Sequence, residues 1–126
     1  MSQDKLLALL VDDDDDVLSI LDTTLKRIGF DTILANDGEE GWNLFCDRHP
    51  KLVISDVSMP NKDGLQLLTD IKSLNHETIV ILISGYLEES ISIGSATDRP
   101  DAVLMKPFRF KLLKETIEKL FPEVSS

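Results

Sequence analysis

Acidic residues are clustered in one short stretch of the sequence, directly after its first apolar run. The stretch "LLALLVDDDDDVLSIL" places five consecutive aspartates, Asp12–Asp16, between a strand-like run and a helical pattern. Three later apolar runs also end on polar side chains, namely Asp56 after "LVIS", Ser84 after "VILI" and Lys106 after "VLM". Carboxylates, a hydroxyl and an ammonium can bind a cation and an anionic ligand, provided that the fold brings them together.

The elements that must position these residues are five apolar runs of strand length, which alternate with helical patterns. Most runs are continuous rather than alternating, as expected for strands that are buried on both faces. Repeated strand–helix units predict an α/β fold, a doubly wound parallel sheet with helices on both faces. The predicted strands are Leu6–Val11, Thr32–Ala35, Leu52–Ser55, Ile79–Ile83 and Ala102–Met105.

The helical patterns differ in strength. Apolar residues at helical spacing from Val17 to Ile28 predict a first helix that Gly29 ends. Similar patterns predict helices after Asp37-Gly38, around Leu65–Leu74 and from Phe110 to Phe121. The segment 88–100, "EESISIGSATDRP", contains β-branched residues, a glycine and a proline, so only a short or irregular helix is expected there.

The carboxyl ends of parallel strands lie at one edge of the sheet, where ligands of such folds bind. Asp14, Asp15 and Asp16 are explained as the start of a helix, where aspartates cap free N–H groups and meet the positive end of the dipole. Asp12 and Asp13 precede the helix, and Asp56 adds a third like charge. A hard divalent cation would relieve this repulsion, and a site with few oxygen ligands suits Mg²⁺.

Size and charge narrow the class of protein. The chain has 126 residues, and we expect one domain over 1–126, with the start of a linker at 122–126. Its formal net charge of -10 argues against direct binding of nucleic acid or an anionic membrane by this domain. One cysteine, Cys46, excludes an internal disulfide. No apolar run reaches the length of a membrane span, so a cytoplasmic location is expected.

One enzyme class is an alternative. Phosphatases of the haloacid-dehalogenase type have Asp-x-Asp after the first strand, then a Ser or Thr, a Lys and a further acidic pair. Asp12-Asp13-Asp14, Ser84 and Lys106 are superficially similar. No further strand is predicted after Lys106 to carry the last acidic pair, and the chain is short for that fold, so this is the weaker alternative.

From Lys5 to Leu120 the chain resembles the receiver domain of bacterial response regulators. The matching pieces are "LLVDDDDDVLSIL", "LVISDVSMPNKDGLQLL", "VILISGY" and "VLMKPF". The acidic pair, the strand-end Asp followed by Met-Pro, Asp63-Gly64, the strand-end Ser and Lys-Pro occur in order and are specific together. The resemblance implies a flavodoxin-like sheet with strand order 2-1-3-4-5. It also implies a signalling domain of a two-component system rather than an enzyme with a separate substrate.

The resemblance further implies phosphorylation of Asp56 by a phosphohistidine of a sensor histidine kinase or phosphotransfer domain. Asp13, Asp56 and the backbone carbonyl of Ser58 would ligate Mg²⁺, and Asp12 would act through a metal-bound water. Such a domain catalyses only its own phosphorylation and dephosphorylation. It then switches the interactions of an output domain or partner protein, which the sequence does not identify. A pseudo-receiver, a binding module that is never phosphorylated, is the contrasting alternative.

Ser84 and Lys106 would contact the phosphoryl oxygens in the modified domain, and the bond from Lys106 to Pro107 is often cis in this family. Val103 departs from the family, which usually has an aromatic residue at this position as part of the switch. Tyr86, two residues after Ser84, is a candidate to replace that aromatic. The plainer alternative is that Tyr86 only shields the phosphoryl group from water.

Overall fold

A computed structural model describes residues 5–85 and 98–124 of the chain. Most of the segment expected to form a short or irregular helix, 88–100, therefore lies outside the described residues. The described strands are β1 (Leu7–Val11), β2 (Asp31–Ala35), β3 (Leu52–Asp56), β4 (Ile79–Ser84) and β5 (Ala102–Met105). The described helices are α1 (Asp15–Ile28), α2 (Gly38–Arg48), α3 (Gly64–Leu74) and α4 (Phe110–Leu120), followed by a 3-10 turn at Pro122–Val124.

The five strands form one parallel sheet in the order β2-β1-β3-β4-β5. The expected fold class and strand order are thereby confirmed. The register aligns the carboxyl ends of the inner strands, because Asp56 is opposite Ile83 of β4 and Ser84 is opposite Met105 of β5. The polar residues that end β3 and β4 consequently lie at the same edge of the sheet.

Helices cover both faces of the sheet, as the continuous apolar runs predict. On β1, Ala8 and Leu10 belong to one buried cluster, whereas Leu9 and Val11 belong to the other. The first cluster contains apolar residues of α1 and α4, and the second contains those of α2 and α3. Because successive side chains of a strand point to opposite faces, β1 lies between two separate cores and contributes side chains to both.

The five aspartates divide as the sequence indicates. Asp14 is the N-cap of α1, and its side chain accepts a hydrogen bond of 2.9 Å from the Asp16 N–H. Asp15 and Asp16 lie in the first turn, where their negative charges interact favourably with the positive end of the helix dipole. At the other end, Gly29 adopts φ 122, a conformation that favours glycine. Helix α1 therefore begins and ends on residues suited to those positions.

A buried lysine fixes the start of β5, and sequence reasoning did not find it. The Lys72 ammonium donates to the Thr78 carbonyl at 2.7 Å and to Asp101 Oδ2 at 2.9 Å. Asp101 Oδ2 also accepts from the Val80 N–H at 2.8 Å. The Asp101 carboxylate thus ties the residue before β5 to both β4 and α3.

Candidate functional site

Three carboxylates converge at the carboxyl edge of the sheet. Asp12 and Asp13 follow β1, and Asp56 ends the neighbouring strand β3. Each offers an oxygen, and these oxygens all lie within 4.8 Å of one another. Asp12 is fully buried and Asp56 is 6% exposed, whereas Asp13 is exposed to solvent. The arrangement therefore concentrates negative charge at the boundary between the core and water.

Asp12 is the least satisfied of the three. Its Oδ1 accepts a hydrogen bond of 2.9 Å from the Asp14 N–H. Its buried Oδ2 has no hydrogen-bond partner among the residues that the structure describes. Burial raises the pKa of Asp12, and the Asp14 N–H and the Lys106 ammonium offset this only in part. An ionised carboxylate in this position is costly unless further positive charge is supplied.

Lys106 provides the positive charge of the site. Its Nζ lies 3.4 Å from Asp56 Oδ2 and 3.6 Å from Asp12 Oδ2. The contact with Asp12 is an ion pair, since 3.6 Å is too long for a hydrogen bond. Burial alone would lower the pKa of Lys106, but the Asp12 and Asp56 carboxylates outweigh burial and raise it. The backbone holds the residue in place, because the Lys106 N–H donates to the Ser84 carbonyl at 2.8 Å. The Lys106–Pro107 peptide bond is cis, as the resemblance leads one to expect.

The remaining predicted residues differ in their burial and in their place in the fold. Ser84 is fully buried at the end of β4. Ser58 is exposed and lies two residues beyond the end of β3. Val103 lies on β5 and is 39% exposed. Tyr86 lies outside the described residues, so its position is not part of this geometry.

The loop after Asp56 turns closely against the end of β3. The Gly64 N–H donates to the Val57 carbonyl at 2.9 Å and closes the loop of residues 57–63. A Cβ atom on Gly64 would lie 2.3 Å from the Asp56 carbonyl oxygen, a distance that no ordinary side chain tolerates. Gly64 therefore lets α3 begin directly against the backbone of the proposed acceptor residue.

The same loop is fastened to the start of α2, which sequence reasoning missed. The Asn61 Nδ2 donates to Asp37 Oδ2 at 2.9 Å, and Asn61 adopts a positive φ of 69. A Cβ atom on Gly38 would lie 1.7 Å from the Lys62 carbonyl oxygen. The backbone of the loop thus rests on the first residues of α2. The only signal in the sequence was the turn-forming character of these Asp, Asn and Gly residues.

The Lys62 side chain adds a second attachment. Its ammonium forms an ion pair with Asp70 of α3. It also lies 4.8 Å from the centre of the Trp42 ring of α2, within the range of a cation–π interaction. Lys62 consequently links the loop to both helices on this face of the sheet.

The donor set fits a small, hard divalent cation. All three side chains that converge are carboxylates, and one buried oxygen, Asp12 Oδ2, has no hydrogen-bond partner in the described part of the chain. Mg²⁺ prefers oxygen ligands, is held by a few carboxylates and retains several waters. A partly open site with one exposed and two buried aspartates is consistent with that preference.

None of the helices in 5–85 and 98–124 combines the length with the apolar composition that a membrane span requires.

Comparisons with known proteins agree with the fold. Residues 8–118 match the response regulator receiver domain family. Regulatory protein AtoC of Escherichia coli K12 is 33% identical over 111 residues, which cover 88% of this chain and 24% of AtoC. The probable transcriptional regulator ycf27 of Porphyridium aerugineum is 32% identical over 98% of this chain and 50% of its own length. The chain therefore spans only a quarter to a half of these two relatives.

A solved structure extends the comparison. Response regulator protein TrrA of Thermotoga maritima, in complex with Mg²⁺-BeF, superposes with a TM-score of 0.83 at 29% identity, covering 92% of this chain and 99% of TrrA. The fold, the ordered motifs and the family match over most of the chain lead to one assignment. The chain belongs to the response regulator receiver domain family of two-component signalling systems.

Proposed function

We propose that this domain accepts a phosphoryl group on Asp56 from a phosphohistidine of a sensor histidine kinase or phosphotransfer domain. One observation carries the proposal. Asp56 lies at the end of β3 with 6% of the residue exposed, and its carboxylate lies beside an acidic pair and 3.4 Å from the Lys106 ammonium. The modification then changes the interactions of the domain with an output domain or protein.

The chemistry assigns a separate task to each residue. An Asp56 oxygen is the nucleophile, and its bond to phosphorus forms as the P–N bond of the donor breaks. The donor imidazole leaves with the electron pair of that bond. Lys106 faces the same carboxylate and offsets charge on the incoming group, since phosphoryl transfer depends mainly on positioning and charge neutralisation. Ser84 and Lys106 then hydrogen-bond the phosphoryl oxygens.

The proposed metal ligands are those that the resemblance to receiver domains implies. Asp13, Asp56 and the Ser58 carbonyl would hold Mg²⁺ directly, and Asp12 would act through a bound water. When bound, the ion would supply positive charge to both the carboxylates and the phosphoryl oxygens. The convergence of the three carboxylates and the unpartnered Asp12 Oδ2 support this assignment.

The wider setting is also part of the proposal. Residues 1–126 form one receiver domain with a linker starting at 122–126, and the domain acts in the cytoplasm. It does not bind nucleic acid directly, because its net charge of -10 repels phosphates. Two relatives are named as regulators of transcription, and in such proteins DNA binding would belong to a domain beyond the receiver.

Acetyl phosphate with Mg²⁺ tests the acceptor. Intact-mass spectrometry should show one added phosphoryl group on the wild-type domain and none on Asp56→Asn. Asp16→Asn removes the same charge from the exposed first turn of α1 and should label like wild type. Labelling of Asp56→Asn at an unchanged rate would place the acceptor elsewhere. A wild-type domain that no phosphodonor labels would instead be a pseudo-receiver.

A further inference from the structure

Asp37 and Asn61 join the start of α2 to the loop that follows the acceptor. We propose that they are a positioning pair, which holds loop 57–63 in the conformation that the Mg²⁺ site needs. The inference rests on the proposed function, because Ser58 of this loop is the proposed backbone ligand. Neither residue touches the reacting groups, so their contribution would be made through the loop.

Asp37 uses its two carboxylate oxygens for two different elements. Oδ1 caps α2 by accepting from the Glu40 N–H at 2.8 Å, and Oδ2 accepts from the Asn61 side chain at 2.9 Å. The hydrogen bond from the Glu40 N–H and, to a smaller extent, that from the Asn61 side chain lower the pKa of Asp37. The helix cap and the loop attachment are thus made by one side chain whose position the helix fixes.

The loop depends on this attachment because its conformation is unusual there. Asn61 adopts φ 69, a left-handed conformation that Asn tolerates better than most residues. The neighbouring Lys62 carbonyl fits against α2 only because Gly38 has no Cβ atom. At the far end of the loop, the bond from the Gly64 N–H to the Val57 carbonyl fixes the chain against β3. Ser58 lies between these two attachments, so a shift at Asn61 would displace its carbonyl.

An exchange of the two side chains separates positioning from charge. In Asp37→Asn the cap oxygen remains, but the charge-assisted hydrogen bond from Asn61 is lost, and only a weaker neutral bond between two amides can replace it after Asn61 turns its side chain. In Asn61→Asp two carboxylates face each other. The double variant restores a donor and an acceptor with their places exchanged and keeps the net charge of the wild type. Asp63→Asn is the charge control, since it removes one charge from the same loop while its oxygen can still cap the Gln66 N–H.

The measurements are the dissociation constant for Mg²⁺, from NMR shifts of the Asp13 amide, and the initial rate of labelling by acetyl phosphate. Urea unfolding in EDTA is recorded in parallel. Each single variant should weaken Mg²⁺ binding by roughly three- to tenfold, the range expected for one net hydrogen bond. The labelling rate at subsaturating Mg²⁺ should fall in parallel. The double variant should recover most of both, and Asp63→Asn should change the affinity less than either single variant.

Four results would overturn the proposal. If Asp37→Asn weakens and Asn61→Asp strengthens Mg²⁺ binding, the pair acts through charge alone. If the single variants lower only the free energy of unfolding, or if the exchange restores neither affinity nor rate, the pair is structural. A wild-type domain that binds Mg²⁺ but cannot be labelled contradicts the proposed function. The Mg²⁺ affinities of the single and double variants then still test whether the pair positions the loop. A wild-type domain that binds no Mg²⁺ would contradict both.

Discussion

The Lys106 ammonium lies 3.4 Å from the Asp56 carboxylate, although Asp56 ends β3, Lys106 follows β5 and β4 lies between these two strands in the sheet. The same ammonium lies 3.6 Å from Asp12 Oδ2. One cation therefore faces two carboxylates that water hardly reaches. Its charge cannot balance both, so the site retains an excess of negative charge that a divalent cation would neutralise.

Removal of the ammonium should destabilise the domain even without metal. In Lys106→Met the two carboxylates lose their shared counter-ion, and we expect the free energy of unfolding in EDTA to fall by about 1–3 kcal/mol. The value lies below that for a fully buried pair because the Lys106 side chain is 30% exposed. Urea unfolding at pH 7 measures it, with Lys111→Met on the exposed side of α4 as the control. Equal stability of Lys106→Met and wild type would show that solvent already screens these charges.

Asp12→Asn should do the opposite. Because burial raises the pKa of Asp12 above the ordinary 3.8, ionisation costs more in the folded than in the unfolded state. The stability linked to this group is therefore greatest below pH 3.8 and is lost as the pH rises through the folded value. Asn cannot ionise, so the variant should be more stable than wild type at pH 7 in EDTA, by about 1 kcal/mol. Paired urea unfolding curves should show this difference shrinking towards pH 4, and a constant difference would contradict the account.

Mg²⁺ should stabilise the wild-type domain by mass action. At a concentration of one hundred times the dissociation constant, the free energy of unfolding should rise by about 2.7 kcal/mol. Asp13→Asn removes a proposed direct ligand and should reduce that rise, while Asp16→Asn should retain it. Differential scanning calorimetry over a series of Mg²⁺ concentrations gives the values. A Tm that ignores millimolar Mg²⁺ in wild type would refute this explanation of the acidic cluster.

The switch is predicted to involve Gly85–Ala96, most of which lies outside the described residues. Val103 has one χ angle and short reach, so it cannot swing a large ring between exposed and buried positions. Amide exchange with and without Mg²⁺ and beryllofluoride should change most in this segment, and Tyr86→Ala should reduce that change. Protection that shifts only at Asp12, Asp56 and Lys106 would favour the shielding role of Tyr86. An effect of Tyr86→Ala on phosphoryl lifetime alone would favour it too.

Local rules account for what the sequence predicted well. Every predicted strand boundary lies within one residue of the observed one, as for Leu6 against Leu7 and Ser55 against Asp56. Continuous apolar runs define buried strands with little ambiguity, and capping preferences separate Asp14–Asp16 from the two aspartates before them. The site could be assembled in outline because parallel strands end at a common edge.

The contacts that sequence reasoning missed join residues far apart in the chain. Asp37 and Asn61 are 24 positions apart, and Lys72 and Asp101 are 29 apart. Each contact depends on how closely a helix approaches a loop or strand, which periodicity does not specify. Lys72 stands on a helix that otherwise reads as amphipathic, so nothing local distinguishes it from a solvated lysine. Its burial follows only from the meeting of α3 with β4 and the residue before β5.

The ring of Trp42 has a consequence for optical measurements. Trp42 is the only tryptophan of the chain. Its ring stacks on that of Phe45 with ring centres 5.9 Å apart, and the Lys62 ammonium lies 4.8 Å from the centre of the Trp42 ring. Fluorescence excited selectively at tryptophan therefore reports a single environment, and one side of that environment is formed by Lys62 of loop 57–63, which follows Asp56. Displacement of the ammonium would change the electric field across the indole and shift its emission. The domain thus carries a native fluorophore beside the loop, and no dye needs to be attached to follow it in solution.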